Sequence, residues 1–254
     1  MNSKEENKSA DIYKSFELEA ADTFDDYISL VTHSCKRPEI ILKNFPRFAR
    51  TSEINKFIVD LELYRKIIEI HGSIIEIGVL EGFNLFTLAH FAEIFEHRNY
   101  TRTIYGFDTF EGYRSIDPSK DSKCDYFKGL PATDSYNSLV EAVQAFNRSV
   151  TVPQSERINL VKGNVLETLP EFLDKHPELT VSLLLLQCGL YKPTATSLEL
   201  LYSRIPKGGV VAFGTLNFPD IPGETVALLE KIGIGGVSLK RFPFARKMAY
   251  FIKE

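Results

Sequence analysis

No apolar run in this sequence approaches the roughly 20 residues that a membrane-spanning helix requires, so no membrane partner is expected. Cysteine is scarce. Cys35, Cys124 and Cys188 are odd in number, far apart and without a CxxC pair. That argues against a disulfide framework or a zinc site and fits a reducing compartment. A strong excess of one charge is also missing. The 30 Lys and Arg against 34 Asp and Glu leave a formal net charge of −4, which gives no electrostatic reason to expect a nucleic-acid partner. The opening residues MNSKEENKSADIYKS lack the apolar stretch of a signal peptide. The expectation is a cytoplasmic protein whose residues 1–15 form a loosely attached tail. The dinucleotide fingerprint GxGxxG is absent too, so a pyrophosphate cradle is poorly supported.

What is present is a chain of 254 residues, 44% hydrophobic, long enough for one well-buried α/β domain plus an extension. Ile54, Phe57, Ile58, Leu61, Tyr64, Ile67 and Ile68 follow a helical stripe closed by Gly72. Short β-rich runs then appear at 74–77, 103–107, 158–161, 181–186, 210–213, 237–242 and 248–252. Helical patterns at 82–95, 135–146, 166–176, 194–205 and 224–232 separate most of them. Such alternation implies a parallel sheet covered on both faces. The last two runs are joined too tightly for a parallel crossover, which needs about a dozen residues, so the final strand is antiparallel to its predecessor. The polar segment 111–134 reads either as a lid or as a disordered excursion.

Two strand ends carry chemistry. The first reads Glu76-Ile77-Gly78-Val79-Leu80-Glu81-Gly82 and enters a helix. Gly78 permits a sharp turn and close ligand approach, and the helix beginning at Gly82 offers free N–H groups to a carboxylate. Asn84 reads as a cap or a ligand contact. The second strand ends at Asp108, beside the first over the ligand crevice of a doubly wound sheet. There a carboxylate can accept both hydroxyls of a ribose, or serve as an ordinary turn residue. Asn164, after the third strand, reads either as an adenine contact or as a helix N-cap.

The segments GSIIEIGVLEGFN, YGFDTFEGY, LVKGNVLETLPEF, LYKPT, RIPKGGVVAF, PGETVALLE and LKRFPF resemble the macrocin O-methyltransferase (TylF-like) family, in order from about Phe45 onward. The resemblance implies a Rossmann-like class I methyltransferase, with a seven-stranded, mostly parallel sheet and an antiparallel last strand. It implies a helical N-terminal extension and cofactor lid over 16–71 and a methyltransferase domain over 72–254. It further implies S-adenosylmethionine as cofactor, usually with Mg²⁺, small sugar-type substrates, and a homodimer or higher homo-oligomer. Carried over, Glu76, Gly78 and Gly82 line the methionine moiety, Asp108 holds the ribose, and Asn164 stands where relatives carry an adenine-side acid. Val79, Asn84, Thr109 and Gln187 adjoin these positions as expected cofactor contacts. Arg50 and Thr51 fall in the segment that closes over the cofactor in relatives.

One departure stands out. Relatives read DxDLY after the fourth strand and DD or DE after the fifth, and those acids hold the metal. Here the corresponding residues are Gln187, Gly189, Gly214 and Thr215. A Mg²⁺ site wants several hard oxygen ligands, usually including carboxylates, so no bound metal is expected. His33, His71, His90, His97 and His176 lack metal-like spacing, and Cys188 has no His neighbour in sequence to make it a nucleophile. With no metal to acidify a hydroxyl, three routes stay open: an acceptor already nucleophilic near neutral pH, another base, or a cofactor-binding pseudoenzyme. Tyr191 and Glu224 are the catalytic candidates, with Lys192 and Asp220 behind them. Each has a plainer reading, Tyr191 in packing and Glu224 as favourable charge at a helix N-terminus.

Overall fold

The computed structural model describes residues 21–34, 37–121, 136–152, 156–245 and 247–254. The chain divides into two compact units, Met1–Ile58 and Val59–Glu254. In the first lie helix α1 (Ala21–Ser29), a π-helical turn, helix α2 (Pro38–Lys43) and the start of helix α3 (Thr51–Ile67). The division falls inside α3, ahead of residue 72. The second half of that helix carries Val59, Leu63, Tyr64 and Ile67, all buried, and belongs to the larger unit.

The larger unit holds β1 (Ser73–Ile77), α4 (Phe83–Glu96), β2 (Ile104–Asp108), α5 (Tyr136–Ser149), β3 (Ile158–Lys162), α6 (Val165–Lys175) and β4 (Val181–Leu186). It continues through α7 (Tyr191–Leu201), β5 (Val210–Phe213), α8 (Gly223–Lys231), β6 (Lys240–Arg241) and β7 (Ala249–Ile252). The strands form one sheet in the order β3-β2-β1-β4-β5-β7-β6. Strands β1 to β5 pair in parallel, while β7 runs antiparallel to both β5 and β6. This is the seven-stranded methyltransferase arrangement expected from the sequence, reversed last strand included.

Alternation within strands sorts the two faces. Ile75, Ile77, Phe107, Leu184, Leu186, Val211 and Phe213 share one core with α6, α7 and α8. Ile74, Ile104, Leu183 and Val210, of opposite parity, are equally buried, so the central strands read as continuous apolar runs. The sixth strand is shorter than the expected 237–242. Among the described residues it pairs only with β7, through Lys240 and Arg241, while Val237 and Leu239 pack on the core instead. Most of the 111–134 segment, from 122 onward, lies outside the described residues. Among the described residues no helix is long and apolar enough to cross a membrane.

Composition does not foreshadow the buried arginines. Arg102 is 2% exposed and donates to the Gly72 carbonyl at 2.9 Å, the Ile67 carbonyl at 3.1 Å and the Ser182 hydroxyl at 2.6 Å. It also pairs with Glu96 at 2.7 Å. The guanidinium thus satisfies carbonyls left open where α3 ends and β1 begins. Removing one partner of a buried ion pair strands the other charge, at about 3–5 kcal/mol. Arg102→Ala should therefore lower the unfolding free energy by about that much in urea titration. A loss below about 1 kcal/mol would show that the pair does not hold this junction.

Candidate active site

The site is built where β1, β2, β4 and β5 end. After β1 the chain turns at Gly78, which has φ +95°. A Cβ there would lie 3.0 Å from the backbone of Gln187 and Cys188, so only glycine lets the β1 and β4 ends approach this closely. Leu80 follows at φ 52°, and Gly82, at φ 82°, caps α4 without a side-chain hydrogen bond.

Asp108 fixes this turn. Its Oδ2 accepts the N–H groups of Val79 at 2.8 Å and Leu80 at 2.9 Å, and its Oδ1 accepts the Phe110 N–H at 2.8 Å. Leu80 and Phe110 (φ 54°) both hold left-handed conformations, which cost an L-residue roughly 1–2 kcal/mol each. Hydrogen bonds to a charged acceptor contribute about 1.5–3 kcal/mol apiece, enough to offset that strain. Asp108 is therefore a structural clamp as well as a residue at the crevice. Thr109 donates to the Gly112 carbonyl at 2.9 Å and accepts the Glu111 N–H at 3.2 Å, closing the next turn.

A second carboxylate cluster was not foreseen. Asp60 of α3 is fully buried and Glu76 of β1 is 1% exposed. Asn84, expected to cap α4 or touch a ligand, instead donates its Nδ2 to both Asp60 oxygens, at 2.9 and 3.1 Å. Its side chain is drawn to the buried carboxylate, and Gly82 takes the cap position. Among the described residues Glu76 Oε2 has no hydrogen-bond partner. Burial pushes Glu76 well above the ordinary carboxylate value, and the charges of Asp60 and Asp108 add to it. Burial likewise pushes Asp60 up to about 7, against the lowering effect of Asn84. The sequence signal was an aspartate at the i+3 position after Phe57 and four before Tyr64, on the apolar side of a helix.

The β4 and β5 ends are tied by Glu224. Its Oε1 accepts the Gly189 N–H at 2.9 Å and its Oε2 the Thr215 N–H at 2.8 Å. The residue is fully buried, and desolvation raises its pKa to about 7 against those two bonds. Tyr191, at the start of α7, donates its hydroxyl to Glu230 at 2.6 Å beneath the Lys120 ammonium, and its N–H donates to Asp121 at 2.7 Å. Neither geometry is that of a ready general base: both Glu224 oxygens are occupied, and the Tyr191 proton already has an acceptor. Cys188 is pushed up to about 12 by burial and by Glu224, so it is no thiolate nucleophile.

A hollow of about 340 Å³ lies at the β2 and β3 ends, lined by Thr109, Glu111, Arg114, Lys162, Gly163 and Asn164. Asn164 N-caps α6, accepting the Leu166 N–H at 3.2 Å, and accepts from Ser115 at 3.3 Å. The plainer of its two sequence readings is therefore realised, at the wall of the hollow. A larger hollow of about 390 Å³ is lined by residues such as Leu198, Tyr202 and Ile232 and carries none of these groups. Arg50 and Thr51 lie in the first unit, where Arg50 is 8% exposed, its guanidinium and N–H both held by Glu53.

Two outcomes follow for stability. Asp108→Ala should cost about 3 kcal/mol or more, since three amide bonds and the support of two strained residues go together. Urea titration checks it, and a loss under about 1 kcal/mol would mean the turn holds itself. Asp60 binds its proton more tightly folded than unfolded. Its contribution is therefore full below about pH 4 and is lost as pH rises through about 7. Wild-type stability should fall between those limits, and Asp60→Asn should flatten the fall. An unchanged slope in Asp60→Asn would assign the pH dependence elsewhere.

The fold has relatives among known proteins. Among curated protein sequences none matches. The family model described as macrocin-O-methyltransferase (TylF) matches residues 44–219. The crystal structure of CalS11, a calicheamicin methyltransferase, is 30% identical, with 93% of each chain covered and a TM-score of 0.88. The apo structure of CalS11, described as a TDP-rhamnose 3'-O-methyltransferase, is 28% identical, with coverage of 93% and 95% and a TM-score of 0.80. The O-methyltransferase NovP shares the fold at 18% identity, with 79% and 80% covered and a TM-score of 0.60. With the family model spanning well over half of the chain and the sheet order matching, this protein belongs to the macrocin O-methyltransferase (TylF) family of S-adenosylmethionine-dependent O-methyltransferases.

Proposed function

We propose that the protein transfers a methyl group to an oxygen of a small polar metabolite of the sugar, nucleotide-sugar or phosphorylated class that is already nucleophilic near neutral pH, and does so without a divalent metal. The observation that carries the acceptor class is the full-length likeness to CalS11, described as acting on TDP-rhamnose.

The residues present suit the cofactor. The Gly78 turn leaves open backbone where a Cβ would collide, and Glu76 offers a buried oxygen with no partner among the described residues. In this reading Glu76, Gly78, Val79 and Gly82 receive the aminoacyl end. Asp108 and Thr109 flank the ribose, Asn164 lies at the adenine side, and Gln187 lies across the crevice. Bound S-adenosylmethionine supplies a methyl on a cationic sulfur that departs as a neutral thioether. The protein's own part is to hold the strand ends in register and to exclude water from the reacting line.

The same residues do not suit Mg²⁺. A Cβ at Gly214 would lie 2.5 Å from Gln187 Oε1, so the glutamine side chain fills the space over that position. Gly189 has no side chain, and both oxygens of nearby Glu224 are taken by amides. Among the described residues no group of three or more His, Cys, Asp or Glu is placed to hold a metal ion. Hard cations need several oxygen ligands, and this donor set does not provide them.

The test is turnover of S-adenosylmethionine to S-adenosylhomocysteine on a panel of sugars and nucleotide sugars, TDP-rhamnose included. After exhaustive chelation the rate on the best acceptor should stay within about twofold, and added Mg²⁺ should not raise it. Activity abolished by EDTA and restored by Mg²⁺ would overturn the metal-free reading. No turnover across the panel would overturn the acceptor class.

A further inference from the structure

The strand order leaves part of the crevice for something other than the cofactor. In the reading above the cofactor lies along the ends of β1, β2 and β3, and the ends of β4 and β5 lie on the far side of β1. One stretch of chain reaches both parts. Segment 111–121 follows β2, and its Ser115 hydroxyl donates to Asn164 at 3.3 Å on the β3 side. Its other end docks beyond β1. Asp121 is fully buried. Its Oδ1 accepts the Tyr191 N–H at 2.7 Å, and its Oδ2 accepts the Asp117 N–H at 2.6 Å. Lys120 donates to Glu230 of α8 at 2.6 Å and lies over the Tyr191 ring.

Two glycines make room for this docking. A Cβ at Gly223, where α8 begins, would collide with Asp121 Oδ1, the Tyr191 nitrogen and the Gly189 carbonyl oxygen. Only a residue without a side chain admits Asp121 there. At Gly189, past the end of β4, a Cβ would stand 3.6 Å from the Tyr113 hydroxyl oxygen. The bare backbone of Gly189 is thus faced by a phenol carried across from the end of β2. Tyr113 is half-buried and so keeps surface that a ligand can meet. We infer that segment 111–121 is the acceptor-side wall of the site. Tyr113 contacts the sugar of a nucleotide-sugar acceptor, and Asp121 is the positioning residue that holds it in place. A tyrosine suits this role, because its ring packs on the apolar face of a sugar while its hydroxyl donates to an oxygen. Asp121 acts at a distance, since its two oxygens are engaged by the amides of Tyr191 and Asp117. The inference rests on the acceptor class proposed above and adds the residue that selects within it.

The experiment is calorimetry of TDP-rhamnose binding to the full chain saturated with S-adenosylhomocysteine. Tyr113→Phe should weaken TDP-rhamnose by about fivefold or more and leave S-adenosylhomocysteine within about twofold of wild type. Asp121→Ala should weaken TDP-rhamnose at least as much, again sparing S-adenosylhomocysteine. The double variant should be no weaker than Asp121→Ala alone, because the phenol acts only where Asp121 holds it. Unchanged TDP-rhamnose affinity in Tyr113→Phe, or an equal loss for both ligands, would overturn the contact. Additive losses in the double variant would overturn the positioning role of Asp121. Failure of wild type to bind TDP-rhamnose would overturn the inference, while turnover on another member of the panel would leave the broader acceptor class standing. Should Asp121→Ala fail to fold, Tyr113→Phe still decides the contact. Asp121→Asn, which keeps an oxygen for the Tyr191 N–H but loses the acceptor for Asp117, then takes its place in the cycle.

Discussion

The carboxylate of Asp108 is the interaction on which this site turns. Three amide N–H groups converge on it, from Val79 and Leu80 after β1 and from Phe110 just past β2. Without that anion the left-handed residues Leu80 and Phe110 would relax, the Gly78 turn would lose its shape, and α4 would start elsewhere. Neighbouring parallel strands thus share one acceptor at their carboxyl ends, where α/β sheets bind ligands. These bonds tie the ends of β1 and β2 to each other.

Much of this was legible in the sequence, for physical reasons. Buried parallel strands are continuous apolar runs, and 181–186 and 210–213 fall where expected. A short link between the last two runs can only reverse direction, and β7 does. The strand-end glycines and Asp108 stood out because a turn against another backbone needs glycine and a crevice needs a polar group. Less legible were groups whose partners lie far away in sequence. Arg102 looks like a surface cation until its ties to Gly72 and Ser182 appear. Asp60 sits in an apolar helical stripe and makes sense only once Asn84 and Glu76 surround it. Helix α7 starts at Tyr191, ahead of the expected 194, because Pro193 suits a first turn, where its missing N–H is no loss.

The loops after β4 and β5 are held together by one side chain from a third element. Here Glu224 reaches from the first turn of α8 and bonds the backbone of both loops, to Gly189 and Thr215. A carboxylate accepting two amides is directional, so the two loops are registered by hydrogen-bond geometry. That arrangement also explains why Glu224, attractive in the sequence as a base, is fully buried.

The position of β7 between β5 and β6 has a consequence for biogenesis. Strand β5 leaves the ribosome roughly 36 residues before the strand that covers its open side. At about 5–20 residues per second that side stays unpaired for roughly two to seven seconds. During this interval the apolar Val-Val-Ala-Phe segment is a naked edge able to recruit foreign strands. The nascent sheet is therefore most exposed to aggregation late in synthesis, and a chaperone that shields it must hold on until the reversed hairpin has been translated.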